Sequence, residues 1–425
     1  MLNIHSYIAL TAGAIVRSIS KTTKYGSGAI IGGKVAIMLK KSILQQLGSN
    51  SNNIIITGTN GKSTTTRMIA TALATAKTIA SNSEGANMKA GLVTAFAINK
   101  NAELAILEVD EMHVPYVSNA VSPSVIVLLN FSRDQLDRFG ETNYIERTLR
   151  NLLAHHKNTV VIANCDSILA TSIAYDHPKV IWVSAGGCSN NLLGESIVCP
   201  RSNGTIMQIS RERKGGSWYS TRSNFKRPEP HWYFDENNIY GPNSLKLPMN
   251  LSLPGIANRG NATQAIATAN FLGIECFKSL KAISNISNIS GRYCYIQVGL
   301  HNVRILLAKN PASWYEALLI INANKINTVV AINGQTSDGQ DLSWLWDVNF
   351  EYFSKMEIIA SGERSNDLMV RLRYAGVRHT RIENIIAAIN SCPPGNVEVI
   401  MNYTSFLQLN RIFQNECCSD WFNIT

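Results

Sequence analysis

Short apolar runs with almost no internal alternation recur along the first half of the chain: Asn53–Thr57, Leu104–Val109, Ser124–Asn130, Thr159–Asn164 and Val180–Ala185. Runs of this length, rich in Ile and Val, have the pattern of strands covered on both faces, as in a parallel sheet. The first is followed by a polar glycine turn, Gly58-Thr59-Asn60-Gly61-Lys62-Ser63. Then comes Thr64–Ala76, in which Met68, Ile69, Ala72 and Leu73 fall on one side of a helix. Strand, phosphate-sized loop and helix predict the opening of an α/β nucleotide domain. In an open parallel sheet the carboxyl ends of the strands line the ligand crevice. Glu108 and Asn130, at or near the ends of two later runs, therefore stand where chemistry is expected.

The rhythm differs on either side of that sheet. Residues 1–50 are rich in Ala, Ile and Lys, with Gly26, Gly28, Gly32 and Gly33 between two helix-like stretches, and predict a helical lead-in without chemistry. Residues 186–250 carry five prolines and aromatic clusters at Trp218, Tyr219, Trp232, Tyr233 and Phe234, and predict a β-hairpin insertion at about 186–235. The helix Asn261–Gly273 resumes the domain. After Gly291, strand-like runs at Arg304–Lys309, Ile326–Asn333, Lys355–Gly362 and Asn396–Thr404 alternate with helical stretches, one near Trp314–Ile321. The expected organisation is α/β throughout: a lead-in over 1–50, a central P-loop ATPase-like domain over 51–290 with its small β-ribbon insertion, and a C-terminal α/β domain over 291–425.

Composition narrows the class. With 45% apolar residues in 425, the chain can bury real cores, and fibrous or wholly disordered readings are excluded. Eight cysteines at irregular spacing form no disulfide framework, which predicts a reducing, cytoplasmic setting. The mildly apolar start lacks the basic region and cleavage site of a signal peptide, and no run reaches the length of a membrane span. A formal charge of +10 attracts anions without naming them: nucleotide phosphates, nucleic acid or an anionic lipid surface. For nucleic acid the basic stripe with interleaved aromatics is missing, so none is expected as a partner.

The sharpest local chemistry is in the glycine turn. Gly58 and Gly61 allow the backbone to fold tightly enough for its N–H groups to face phosphates, at the positive end of the following helix. Lys62 can reach the β and γ phosphates, and the hydroxyl of Ser63 or Thr64 can sit on Mg²⁺, with Glu108 as a further metal ligand. The usual P-loop has four residues between its glycines and this loop has two.

Gly58–Thr65 resembles the phosphate loop of the Mur ligase superfamily, and the order of later motifs is similar to one branch, the MurT-like subunits of lipid II isoglutaminyl synthase. The matching stretches include Ser83–Gly91, Leu107–Glu111, Leu128–Glu141, Arg227–Pro230, Leu251–Ala269, Gly291–Tyr293, Leu307–Trp314, Asp338–Glu351, Ser361–Gly376 and Met401–Ser405. The resemblance implies nucleotide contacts from Gly58, Thr59, Asn60, Gly61, Lys62, Ser63 and Thr64, with Ser63 and Glu108 on Mg²⁺. It also places Asn130 and Asp137 at the nucleotide crevice, Asn258 and Asn261 ahead of the helix beside the adenine, and Arg292 at the hinge. The implied reaction is ATP-dependent amidation of the D-glutamate α-carboxyl of lipid II through an acyl phosphate. The ammonia would come from a GatD-like class I glutaminase in a heterodimer, working at the inner face of the membrane. A Mur-type amino acid ligase and a non-catalytic nucleotide-binding assembly protein are the alternatives.

Two further expectations attach to the resemblance. The branch commonly carries a four-cysteine zinc ribbon, but here the corresponding turns read Cys199-Pro-Arg-Ser202 and Ser220-Thr-Arg-Ser223. Only Cys199 is retained, and serine hydroxyls are poor structural zinc ligands, so a ribbon-shaped hairpin without zinc is expected, held by Trp218 and Phe225. The C-terminal domain is implied to dock the glutaminase and to lend an acid to its Cys and His triad. Asp338, Asp341 and Asp347 accompany Trp344 and Trp346, two large anchors suited to a subunit contact. A carboxylate that orients an imidazole is what the chemistry asks for. Asp347, directly after the tryptophan pair, is preferred, with Asp341 and Asp338 behind it.

Overall fold

The computed structural model describes residues 4–22, 29–49, 51–82, 86–131, 141–186, 198–209, 217–288, 293–322, 327–335, 338 and 341–416. They fall into two compact units, one ending at Ile286 and the other beginning at Ser287.

The first unit opens with three helices, α1 (Ile4–Thr22), α2 (Ala29–Leu39) and α3 (Ile43–Gly48). Strands and helices then alternate: β1 (Asn52–Thr57), α4 (Lys62–Leu73), β2 (Ile79–Ser81), α5 (Lys89–Ile98), β3 (Leu104–Glu108), α6 (Val114–Val121), β4 (Val125–Leu128), α7 (Glu141–His155), β5 (Val160–Asn164), α8 (Ile168–Ala174) and β6 (Val180–Val183). The six strands form one sheet in the order β2-β3-β1-β4-β5-β6, parallel throughout. Every residue of β3 and β4 is buried, as uninterrupted apolar runs require when both faces are covered. Ile55, Ala105, Leu107, Ile126 and Val161 form the floor of a core that also takes in Leu10, Ala36, Ile43 and Leu47, so the helical lead-in packs as part of this unit.

Beyond β6 come two small antiparallel sheets. One is the hairpin β7 (Ile206–Ile209) with β8 (Ser217–Ser220); the other is β9 (Tyr233–Phe234), β10 (Asn238–Tyr240) and β11 (Lys246–Pro248). Cys199, Ile206, Trp218 and Phe225 pack with Ile168 in a satellite core under the hairpin, Trp218 and Phe225 with ring centres 5.0 Å apart. The unit closes with α9 (Ile256–Phe271) and α10 (Cys276–Ser284). Helix α9 begins five residues before the sequence pattern places it. Gly255, at φ 96°, forms its entry, and Asn258 donates its side-chain amide back to the Pro254 carbonyl at 2.6 Å. Asn258 and Asn261 thus lie within the helix rather than ahead of it.

The second unit contains β12 (Tyr293–Val298), β13 (His301–Leu307), α11 (Pro311–Asn322), β14 (Asn327–Ala331), β15 (Glu357–Ser361), α12 (Ser365–Tyr374), β16 (Arg378–Arg381), α13 (Ile385–Asn390), β17 (Gly395–Met401) and α14 (Tyr403–Glu416). Its sheet runs β12-β13-β17-β14-β15-β16, with β12 alone antiparallel to its neighbour. The last strand stops at Met401, three residues short of the run read from sequence, because Asp338 caps the helix that follows. Its carboxylate accepts from the Tyr403 and Thr404 backbone N–H groups at 3.1 and 2.7 Å and from the Thr404 hydroxyl.

Candidate functional site

The loop after β1 is shaped by two glycines in backbone conformations that other residues avoid, Gly58 at φ 139° and Gly61 at φ 84°. A Cβ on Gly58 would lie 2.8 Å from the Leu129 Cβ and 2.9 Å from the Asn130 carbonyl. Asn130 holds the loop from the end of the neighbouring strand. The Thr59 N–H donates to its carbonyl at 2.7 Å and the Asn60 N–H to its side-chain oxygen at 3.0 Å. Gly61 caps α4, which starts at Lys62, so the free N–H groups of the first helical turn open at the loop. On the opposite side the Asn261 Oδ1 stands 3.0 Å from where a Gly61 Cβ would be.

Lys62 is buried rather than exposed on a loop. Its ammonium donates to the Gly58 carbonyl at 2.6 Å and pairs with the Glu111 carboxylate at 3.1 Å, both side chains about nine-tenths buried. Glu111 is therefore part of the site, although the loop motif assigns it no role. It lies beyond the end of β3, and its proximity to Lys62 depends on β3 pairing with β1, which a linear pattern does not display.

Glu108 ends β3 directly beside Ile56, two residues before Gly58. It is 2% exposed, and its Oε2 has no hydrogen-bond partner among the described residues. Its backbone is clamped from just beyond β2, where the Asn82 side chain accepts from the Glu108 N–H and donates to the Glu108 carbonyl, both at 2.8 Å. Thr57 Oγ1 at the end of β1 and Ser81 Oγ at the end of β2 are likewise buried without a partner among the described residues. Orphaned polar oxygens at the carboxyl ends of three adjacent strands are costly unless something else satisfies them. Among them the Glu108 carboxylate is the group that a hard divalent cation with oxygen ligands would satisfy. Ser63 is partly exposed in the first turn of α4, while Thr64 is buried. Arg292 and Asp137 lie outside the described residues.

In the insertion, the two turns that correspond to the halves of a zinc ribbon are closed by hydrogen bonds. Ser202 Oγ and Ser220 Oγ are 2.8 Å apart. Burial raises the Cys199 thiol pKa, but hydrogen bonds from the Ser202 and Ser220 hydroxyls and from the Arg201 and Ser202 N–H groups outweigh it, and the net shift is downward. The Phe225 N–H reaches Ser223 Oγ at 3.4 Å. The base of the insertion is pinned to the parallel sheet by a buried ion pair, Arg227 with Asp166 at 2.7 Å. The same carboxylate also accepts from the Ser184 hydroxyl and the Gly186 N–H.

The three acids of the second unit separate by geometry. Asp338 is consumed as the cap of α14, and Asp341 caps the 3₁₀ turn Ser343–Asp347 through the Ser343 N–H at 2.8 Å. Asp347, at the end of that turn, is exposed, and among the described residues nothing bonds its carboxylate. Trp344 is not a surface anchor: it packs inward against Trp314 with ring centres 5.7 Å apart. Trp346 does face outward, 55% exposed, edge-on to the exposed Tyr374. Arg371, buried on α12, fixes the turn on both sides of Asp347 by donating to the Leu345 carbonyl at 3.2 Å and the Val348 carbonyl at 2.7 Å. The Arg371 guanidinium also holds the Glu351 carboxyl below its ordinary range.

Comparison with known proteins follows the same division. Residues 56–269 match the family model of the Mur ligase middle domain, and residues 307–406 that of the MurT ligase C-terminal region. The chain is 26% identical to the MurT subunit of lipid II isoglutaminyl synthase (glutamine-hydrolyzing) from Streptococcus pneumoniae, over 97% of each chain. It is 29% identical to the subunit of the same name from Staphylococcus aureus, over 91% of this chain and 94% of that one. Among solved structures, a pseudomurein peptide ligase type C from Methanothermus fervidus superposes with a TM-score of 0.67 at 18% identity, covering 88% of this chain and 81% of that one. MurF from Acinetobacter baumannii gives 0.63 at 18% identity, covering 90% and 80%. These likenesses establish the Mur ligase fold, α/β in both units.

Proposed function

The chain belongs to the Mur ligase family, and from that premise we propose that it is the ATP-consuming subunit of an enzyme that amidates the D-glutamate α-carboxyl of lipid II to D-isoglutamine. The observation that carries this reading is a helix-capping glycine loop built against the buried carboxylate of Glu108, whose Oε2 has no hydrogen-bond partner among the described residues, in a chain similar over 97% of its length to a MurT subunit. ATP would be held by the loop residues Gly58, Thr59, Asn60, Gly61, Lys62, Ser63 and Thr64, the N–H groups of the first turn of α4 turned to the phosphates, with Asn258, Asn261 and Arg292 on the nucleoside side. Ser63 and Glu108 would hold Mg²⁺, which when bound supplies positive charge where the phosphoryl group is transferred.

The substrate carboxylate attacks the γ phosphorus, ADP leaves, and the resulting acyl phosphate is attacked by ammonia with loss of phosphate. Lys62 serves this by exchanging partners. In the free protein Glu111 and the Gly58 carbonyl hold its ammonium in place, and a triphosphate competes for the same charge. The ammonia source is proposed to be a GatD-like class I glutaminase bound in a heterodimer, to which Asp347 lends the triad carboxylate. Its exposure and freedom from bonds support this choice over Asp338 and Asp341. Arg371 acts as a positioning residue for the turn. The setting is cytoplasmic and peripheral to the inner membrane face; among the described residues no helix is long and apolar enough to cross a membrane.

The test is reconstitution with such a glutaminase. Asp347→Asn should slow glutamine-dependent amidation by about 10²-fold or more while amidation from concentrated ammonium persists. Equal loss with both nitrogen sources would move Asp347 out of the triad. Incorporation of an amino acid without the glutaminase would replace amidation by amino acid ligation.

A further inference from the structure

Helix α1 has two apolar faces. Ser6, Ala9, Leu10 and Gly13 are buried against the unit. Ile4, Ile8, Ile15 and Ile19 point the other way, each more than half exposed. Their spacing confines them to an arc of about 60° at about 100° per residue, a continuous outward stripe nearly opposite the buried face. On α2 the pattern repeats, with Gly32, Gly33 and Ala36 buried and Ile30, Ile31 and Met38 exposed, Met38 at 82%.

Apart from Leu10, the buried positions are small and the outward ones large, which inverts the usual rule for a water-soluble helix pair. The inversion is built in. A Cβ on Gly13 or Gly32 would come within 2.6 Å of the other's carbonyl oxygen, and a Cβ on Gly33 within 1.9 Å of the Ala90 carbonyl. The helices approach too closely to admit large side chains between them, as at helix contacts in lipid. Charge selects the occupant of the outward face. Residues 1–50 contain six Lys and Arg and no acid, and the first acidic residue of the chain is Glu84. Lys34 is exposed on α2 in phase between Ile30 and Met38, Lys41 is exposed in the turn after that helix, and the Lys100 ammonium lies 4.9 Å from the centre of the exposed Tyr7 ring. An apolar stripe on a segment that carries cations and no acid of its own complements a surface that is itself apolar and anionic.

We propose that the outward faces of α1 and α2 are a docking surface for an anionic lipid bilayer, lying in its interface without crossing it. The stripe would place isoleucine side chains among the acyl chains while Lys34 and Lys41 meet headgroup phosphates. This deepens the peripheral membrane location proposed above, but its readout is independent of amidation, so either can fail while the other stands.

The experiment is cosedimentation of the full chain with vesicles of phosphatidylcholine alone, or of phosphatidylcholine mixed with phosphatidylglycerol and cardiolipin. The chain should partition onto the anionic vesicles, and less as salt rises. Ile8→Glu with Ile15→Glu should weaken that partition by about tenfold or more, with the thermal midpoint unchanged because both sites are exposed. Lys34→Glu with Lys41→Glu should erase the preference for anionic over neutral vesicles. The proposal is overturned if the wild-type chain stays in the supernatant at low salt, if Ile8→Glu with Ile15→Glu binds as well as the wild type, or if the stripe proves to bury itself in a dimer that the same substitutions dissociate.

Discussion

The Lys62 ammonium sits between a carbonyl of its own loop and Glu111, and this makes the lysine a structural as well as a chemical residue. Lys62→Ala should lower the rate of ATP-dependent turnover by about 10²-fold or more. It should also lower stability by about 3 kcal/mol, because the Glu111 carboxylate is left buried without its partner. Adding Glu111→Gln should recover much of the stability and none of the rate, which denaturant titration and a phosphate-release assay separate. Recovery of the rate would show that Lys62 does not act on phosphate. The Asp166–Arg227 pair makes a comparable case. Asp166→Ala should cost about 3–5 kcal/mol, read in the unfolding midpoint, since the guanidinium is almost fully enclosed. At this scale the loop residues are legible in the sequence because glycine, lysine and hydroxyl at fixed spacing carry a mechanism in themselves. Glu111, Asn82 and Arg371 are not, because each acts through a neighbour brought close by strand pairing or by helix packing.

Strands buried on both faces announce themselves as unbroken Ile and Val runs, and β1, β3, β4 and β5 lie where those runs are. Strand β16 escapes the pattern because Arg378-His379-Thr380-Arg381 has no apolar residue: it is the sheet's edge, and its side chains are half or fully exposed. Strand β12 escapes it because it alternates and owes its place to the hairpin with β13. In the insertion, the hydrogen-bonded hydroxyls of Ser202 and Ser220 stand with Cys199 where a cation would otherwise draw four sulfurs together. Elemental analysis should find no stoichiometric zinc, whereas Ser202→Cys, Ser220→Cys and Ser223→Cys together should take up one zinc per chain and raise the melting temperature of the insertion. Stoichiometric zinc in the wild-type chain would mean that other ligands close the ribbon. At the α2–α5 contact, Gly33→Ala should destabilise the first unit by about 1–3 kcal/mol, because the added carbon meets the Ala90 backbone and not a flexible side chain. An unchanged midpoint in thermal denaturation would show that the helices are not packed so closely.

On the scale of the whole chain, two α/β units divide the work proposed for them: phosphate chemistry in the first, where β1 and β3 end side by side, and the contact with the nitrogen source in the second, where Asp347 and Trp346 face outward. The alternation of strand and helix makes both units legible in the sequence. Which acid of the C-terminal run is free is not legible, because Asp338 and Asp341 are withdrawn only by caps whose partners the fold supplies. The central claim is that ATP is spent on a carboxylate to make a primary amide. Its most direct test is to incubate the chain with ATP, Mg²⁺, lipid II and concentrated ammonium, without any partner, and to follow ADP release together with the mass of the lipid II peptide. The expected result is one ADP for each hydroxyl replaced by an amino group at the D-glutamate α-carboxyl. ADP release with no change in the peptide, or a peptide extended by an amino acid, would contradict it.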